Sequence, residues 1–396
     1  MNRREILTLS AITASGLALL PGSSLQARAQ GALLRAAAWP NKRLLELFKI
    51  AHPIIQAPMG GHVAPEMPAA VSRAGGLGSF PCSALSPAQM RDAVARIRTQ
   101  TSNPINLNFF CHAVPQRDEA IESAWRKRLA SYYAELGVAP PGSPTRTLEP
   151  FGQEMCDAVI ELKPEIISFH FGLPEKSLVN RLKAAGCTIL SSATTVMEAR
   201  WLEDHGADVV IAQGVEAGGH RGMFLTTEPT SQVGTLALVP QVVDAVRVPV
   251  IAAGGIADGR GIAAAFALGA AGVQMGTAYL LCPEALISTY HRAALRSARD
   301  NVSAITNVLT GRPARVFVNR IVREMGPLAS GVPSFPVAGA ALVPLRTKAE
   351  AQGSSDFSPL YAGQAAALGR ELPAGELTLK LAAEAFERLG TLVRVS

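Results

Sequence analysis

The segment VPVIAAGGIADGRGIAAAFALGAAGVQMGT, residues 248–277, decides the fold. It opens on a short apolar run, Val250–Ala253, with no polar alternation, as in a strand covered on both faces. Gly254 and Gly255 then break the chain, and Gly259–Leu268 continues with helical periodicity. Gly269 stands where a helix of this length ends in a left-handed cap. A second apolar run, Gly272–Met275, closes the unit. Strand, glycine turn, helix and strand in this order describe a βαβ unit with parallel strands.

The same unit recurs upstream. Apolar runs at Ile54–Ala57, Gly76–Phe80, Ile105–Phe109, Ile166–His170, Thr188–Ser191 and Asp208–Ala212 bring the strand count to eight. Helical segments lie between them at Glu66–Ala74, Pro87–Thr99, Lys176–Ala185, Thr195–His205 and Leu238–Val246, several ending in glycine, as at Gly75, Gly186 and Gly206. Eight such units imply an α/β fold of the closed (β/α)8 TIM barrel type, in preference to an open doubly wound sheet. Two stretches break the repeat: 111–165, which contains Pro140-Pro141-Gly142-Ser143-Pro144, and 283–358, with a Pro/Gly/Ala-rich run at Gly326–Pro344. Helical periodicity returns in Gln364–Arg370 and Leu377–Leu389. The expected organisation is a barrel over 47–282, a smaller substrate or lid subdomain over 283–358, and a C-terminal return to the barrel over 359–396.

The composition suits a buried core: of 396 residues, 48% are hydrophobic and 17% charged, which excludes disorder. Only 5% are aromatic and the basic blocks are short, Arg126-Lys127-Arg128 being the densest, so no nucleic-acid partner is expected despite the net charge of +6. Five cysteines, with an odd total and no CxxC, suggest neither a zinc site nor a disulfide framework. Residues 1–29 read as an export signal: Arg3-Arg4, an apolar run Ala11–Leu20, and a small-x-small site at Ala27-Arg28-Ala29. The paired arginines resemble a twin-arginine signal, with Asn2 and Ile6 departing from the usual pattern. A periplasmic or exported location is expected, a cytoplasmic protein with a basic start being the alternative. The apolar run is too short for stable membrane insertion.

In a barrel of this kind chemistry collects at the C-terminal ends of the strands. Those positions hold Pro58-Met59-Gly60-Gly61, Asn106 and Asn108, Ser168 to Gly172, Gln213 to Gly222, Gly254-Gly255-Ile256 and Gly276-Thr277. Glycine turns on the last two strands let backbone N–H groups approach an anion, and the helix starting near Asp258-Gly259 would add its positive end. No P-loop and no Rossmann fingerprint is present. The loop Glu216–Gly222 packs Glu, Gly-Gly, His and Arg together, groups costly to bury without a purpose. His220 is the candidate acid or base, the competing reading being a loop histidine bonded to a carbonyl. His170 has a weaker claim. His52, His62, His112, His205 and His291 have no such context, although His62 is close to the first loop. No set of metal ligands is spaced for a metal site.

These motifs are similar to those of a known family. Pro53-Ile54-Ile55-Gln56-Ala57-Pro58-Met59, the block Gln213–Gly222, Ala252–Ile256, Gly269–Thr277 and Pro359-Leu360-Tyr361-Ala362-Gly363-Gln364 resemble nitronate monooxygenases, formerly 2-nitropropane dioxygenases, from about residue 50 to 370. The resemblance implies non-covalent FMN and oxidation of alkyl nitronates, or nitroalkanes, by O2 to a carbonyl compound and nitrite. It implies His220 as the catalytic residue and Gln56, Ala57, Pro58, Met59 and Asn108 beside the flavin ring. Gln213, Gly218 and Gly219 would touch flavin or ribityl, Gly254, Gly255, Gly276 and Thr277 the phosphate, and Gln364 would close the site. His170 and Tyr361 are candidate substrate contacts. His62 after Gly60-Gly61, and Tyr361 where the family commonly carries Trp, depart from the pattern. The alternatives are an FMN-dependent enoyl reductase and an exported flavin-binding protein without turnover; an IMP-dehydrogenase-like enzyme would need a nucleophilic cysteine, and Cys187 and Cys282 read as core residues.

Overall fold

All eight expected runs become strands of one parallel sheet in the computed structural model, which describes residues 39–144 and 148–393. The expected export signal at 1–29 lies outside the described residues. In chain order the strands are β1 (Ile54–Gln56), β2 (Gly78–Pro81), β3 (Ile105–Phe110), β4 (Ile166–His170), β5 (Thr188–Ala193), β6 (Val209–Gln213), a two-residue β7 (Gly219–His220), β8 (Val250–Ala253), β9 (Gly272–Met275), β10 (Ser303–Thr306) and β11 (Ala314–Phe317). The barrel order is β1-β9-β8-β6-β5-β4-β3-β2. The ring closes where Ile55 bridges Leu77 and the Gln56 N–H donates to the Leu77 carbonyl at 3.0 Å.

Alternation sorts the side chains. On β3, Ile105, Leu107 and Phe109 face the helices, whereas Asn106 and Asn108 share the opposite face. Inside, the Asn106 amide donates to Ser79 Oγ (3.0 Å) and Ser168 Oγ (2.9 Å), and Asn108 donates to Ser168 Oγ (2.9 Å). These bonds between neighbouring strands engage both amide donors and pin strand register, while Asn106 Oδ1 is buried without a partner. β2 runs against the backbone of the helix Glu66–Arg73: a Cβ on Gly78 would sit 2.1 Å from the Pro68 carbonyl oxygen.

A second sheet stands on the barrel. β10, β11 and β7 pair antiparallel in the order β10-β11-β7, with Ala314 opposite His220 and Arg315 opposite Gly219. The two stretches that interrupted the repeat share one core. Trp125, Leu129 and Tyr133 from the first pack with Val316, Ile321, Leu345 and Phe357 from the second. The final helix, Ala374–Val393, returns to the helices Glu66–Arg73 and Gly259–Ala267. The helical periodicity of Gln364–Arg370 yields only a 3-10 turn, Ala366–Leu368, because Gly369 turns extended ahead of Pro373. No helix of the described residues is long and apolar enough to cross a membrane.

Leu345 is fully buried in the shared core. Leu345→Ala should lower unfolding stability by about 2–5 kcal/mol, read as a drop in the urea midpoint; an unchanged midpoint would mean that this core does not unfold with the barrel.

Candidate active site

A cavity of about 340 Å³ opens at the C-terminal ends of the barrel strands. Of the residues expected there, Ala57, Pro58, Met59, Asn108, His170, Gln213, Gly218, Gly219, His220, Gly254, Gly255, Gly276, Thr277 and Tyr361 line it. Two do not. Gln56 is fully buried, where its Oε1 accepts from the Ser79 N–H (3.0 Å) and its amide donates to the Ala57 carbonyl. The side chain of Gln364 is exposed; its backbone N–H donates to the Glu216 carbonyl (3.0 Å), and its neighbours Gly363 and Ala365 reach the wall instead. The reason is local in each case: β1 turns Gln56 toward β2, and the chain at Gly363 already packs against Glu216 and Gly218.

The loop after β6 is tied at many points. Gln213 closes it: its Oε1 accepts from the Gly222 N–H (2.7 Å) and its amide donates to the His220 carbonyl (3.1 Å). The Arg221 N–H donates to the Pro313 carbonyl (2.9 Å), continuing the β7–β11 pairing. Gly219 takes φ +76°, a left-handed conformation that glycine adopts freely. The glutamate of the loop serves the fold: Glu216 accepts from the Thr235 N–H (2.9 Å) and Oγ1 (2.8 Å), at the N-terminus of the helix Thr235–Ala245, where a carboxylate complements the helix dipole. Arg221 is fully buried and donates to the Gln213 carbonyl (2.9 Å).

His220 thus reaches the cavity from a fixed backbone. Its Nε2 is 3.0 Å from Thr310 Oγ1, and its ring lies among Phe335 (5.2 Å between centroids), Tyr361 (5.6 Å), Phe171 (6.0 Å) and Phe110 (6.3 Å). Burial among these groups, and then the nearby Arg312 charge, push its pKa down to about 3. His220 is therefore a neutral imidazole at physiological pH. His170 is likewise held down to about 3, by burial and then by His220. Its Nε2–H donates to the His220 carbonyl (3.1 Å), which can only accept, so Nδ1 accepts from Ser192 Oγ (2.5 Å). Both ring nitrogens of His170 thereby hold other groups in place. It orients His220, although its ring also lines the wall.

The anion cradle differs from the expectation in one part. The helix Gly259–Ala267 does not offer a free N-terminus. Asp258 accepts from the Arg260 N–H (2.9 Å) and Gly261 N–H (3.4 Å), and Glu384 accepts from the Gly259 N–H (3.3 Å). Those orphan donors already face carboxylates, so an anion would rely on the glycine turns themselves. Gly254 and Gly255 carry φ of +113° and +68° on the cavity wall.

Sequence reasoning did not single out Gln274, Phe335, Leu148 or Ser192 as wall residues, and placed His62 only nearby. Gln274 Oε1 and both His62 ring nitrogens are buried without a hydrogen-bond partner. Gln274 sat inside a recognised motif as an apparent strand residue; Phe335 came from the Pro/Gly/Ala-rich run, which carries no periodic signal. His62 meets His291 edge-on at 5.4 Å, and burial lowers the pKa of both, His291 to about 4.

A closed barrel with a largely enclosed pocket at its strand ends, walled by aromatics around a neutral histidine, is the architecture of an enzyme. Residues 41–384 match the family described as nitronate monooxygenase. The chain belongs to the nitronate monooxygenase family. It is 43% identical to a nitronate monooxygenase of Pseudomonas aeruginosa over 345 residues, covering 86% of this chain and 98% of that one. It is 41% identical to one from Paraburkholderia phytofirmans, covering 87% and 95%. A nitroalkane oxidase from Streptomyces ansochromogenes superposes with a TM-score of 0.81 at 38% identity, covering 88% of this chain and 99% of that structure.

The neutral histidines carry a pH consequence. His170 and His220 bind protons in the unfolded chain near 6.5 and in the folded one only near 3. Between these values the unfolded state takes up protons that the native state refuses, so stability falls as pH drops below about 6.5. Urea midpoints at pH 7.5 and pH 5 should show this fall, and His170→Asn should reduce it; equal midpoints would place the imidazoles in water.

Proposed function

We propose that this chain is an FMN-dependent nitronate monooxygenase, oxidising alkyl nitronates with O2 to a carbonyl compound and nitrite. One observation carries the reading: a neutral His220, fixed by β7–β11 pairing, facing a glycine-lined cavity at the barrel mouth. The wall has the features a flavin mononucleotide requires. Gly254, Gly255, Gly276 and Thr277 line one side of the cavity, and the left-handed φ of Gly254 and Gly255 lets backbone there approach a phosphate closely. The buried Gln274 Oε1 has an open acceptor site for a ring N–H. Ala57, Pro58 and Met59 supply an apolar face for a planar ring, and Asn108 a polar edge. When bound, FMN supplies the redox chemistry between nitronate and O2.

The side chains of this protein do the rest. As a free base, neutral His220 can take the α-proton of a nitroalkane, and as a donor it can hold a nitro oxygen of the nitronate. Phe335, Phe110 and Tyr361 exclude water from that proton, which keeps the hydrogen bond strong. Residues 283–358, with the helices Glu119–Arg128 and Ala130–Leu136 packed against them, form the cap on the substrate side, whereas the helix Gln153–Leu162 packs on the barrel helices Pro87–Arg98 and Lys176–Ala184.

The test is aerobic turnover of propyl-2-nitronate by protein whose released chromophore is identified as FMN by mass. Nitrite should form in proportion to enzyme, and His220→Asn should keep its FMN while losing about a hundredfold in rate with neutral nitroalkanes. FMN without nitrite would leave a flavin-binding protein, and flavin reduction by NADH without O2 would favour an enoyl reductase.

We also propose export through a twin-arginine signal. Arg3-Arg4 and the apolar run Ala11–Leu20 support it, as does a family match that begins only at residue 41, leaving this segment as an addition. Replacing both arginines with lysine should shift the protein from periplasm to cytoplasm on fractionation; an unchanged distribution would remove the proposal.

A further inference from the structure

Arg312 occupies a costly position. Its guanidinium lies 3.9 Å from the ring centroid of Phe171. It donates to the Met223 carbonyl, and its Nε is buried with no partner. Among the described residues no carboxylate lies within ion-pair distance of it. Glu198, the carboxylate whose charge acts on it, is fully engaged: it accepts from Thr194 N–H (2.7 Å) and Oγ1 (2.8 Å), Phe224 N–H (2.6 Å) and Leu225 N–H (3.1 Å). A largely buried cation without an anion is destabilising unless it acts on something else.

The residue between Arg312 and the cavity is also unusual. Phe171 holds φ +71°, a left-handed conformation costly for a residue with a Cβ. In this conformation one face of its ring lies under Arg312, and the ring meets His220 and Phe335 at steep angles, with centroids 6.0 and 5.7 Å away. Charge, strained aromatic and cavity histidine therefore lie in sequence, ending at the wall.

We propose that Arg312 is an electrostatic positioning residue, selecting an anionic nitronate over its neutral nitroalkane by a positive potential projected past Phe171 into the cavity. The inference rests on the nitronate reading above and names what discriminates its two substrate forms. The same charge lowers the proton affinity of His220, His170 and His112, so all three sense it. The other ionisable groups around His220 do not offset it. Burial holds His170 down to about 3 and lowers the proton affinity of His112, and the Tyr361 hydroxyl is pushed up to about 12. Glu216 is engaged with Thr235, and Arg221 and Arg315 add to the positive sign while bound to the Gln213 and Val215 carbonyls. In a dry pocket such a field acts at full strength on a substrate carrying one negative charge and weakly on an uncharged one.

The experiment compares flavin-loaded wild type with Arg312→Met and Arg312→Lys. For Arg312→Met, kcat/KM with propyl-2-nitronate should fall about tenfold or more, through KM, while that with 2-nitropropane changes less than about twofold. The acid limb of the pH profile should move to higher pH, because losing the charge raises the proton affinity of His220. Arg312→Lys should restore the nitronate KM and the limb. Equal losses on both substrates, or a lysine variant no better than methionine, would overturn the proposal in favour of a structural tie to Met223. A measurement on wild type covers variants that fail to fold: nitrate, a planar unreactive anion, should compete with nitronate far better than uncharged acetone, and equal competition would overturn the proposal. Nitrate binding read from the flavin spectrum also separates the two readings. Arg312-dependent nitrate binding without nitrite formation would sustain the anion selection and remove the monooxygenase reading.

Discussion

The pairing of β7 with β11 is the constraint on which the site depends. Two residues, Gly219 and His220, leave the barrel loop and add an edge to the antiparallel sheet opposite Arg315 and Ala314. A ten-residue glycine-rich loop would otherwise sample many conformations, and a histidine on it would hold no fixed position. With the pairing made, the His220 carbonyl faces back to the barrel and takes donors from His170 on β4 and Gln213 on β6. The imidazole then has only side-chain freedom left, which Thr310 and four aromatic rings restrict further. Barrel and cap are thus joined through the one residue that both must place.

The same packing sets the electrostatics. Burial keeps His170 and His220 neutral, and the polar groups around them are of two kinds, those satisfied internally and those turned toward the space a ligand would fill. The amides of Asn106 and Asn108, bonded to Ser79 and Ser168, belong to the first kind. Gln274 and His62 belong to the second. Glu216 shows how a charged residue in the strand-six loop can serve the frame: bound at a helix N-terminus, it braces the turn that carries His220, and it is no partner of the histidine.

The barrel was legible because its signals are local. A buried parallel strand is a short apolar run, an amphipathic helix repeats every 3.6 residues, and glycine marks the left-handed caps; Val250–Ala253 and Gly272–Met275 come out with the bounds read from sequence. The site was legible in part, since residues at strand ends point to the mouth whatever their partners. What escaped depends on contacts distant in sequence. β7 is two residues long and exists only because β11, nearly a hundred residues later, lies beside it. Asp258 looked like the opening of an available helix terminus, but its own carboxylate caps that terminus. Gln56 and Gln364 were assigned by motif, and neither motif says which way a side chain turns when β2 or Glu216 offers a nearer partner. Phe335 sits in a run without periodicity, so only the folded cap brings it to the wall.

The shared cap core explains why the chain needs both irregular stretches. Helices Glu119–Arg128 and Ala130–Leu136 come from the first stretch, and the β10–β11 hairpin with its following helices comes from the second. Each buries its apolar face against the other through Trp125, Tyr133, Val316 and Leu345. Deleting either stretch would expose the core of its counterpart, and the hairpin that fixes His220 would lose its support. The position of His220 at the barrel mouth is therefore coupled to a hydrophobic core whose buried residues are not on the cavity wall, so the irregular segments help to set the geometry of the cavity.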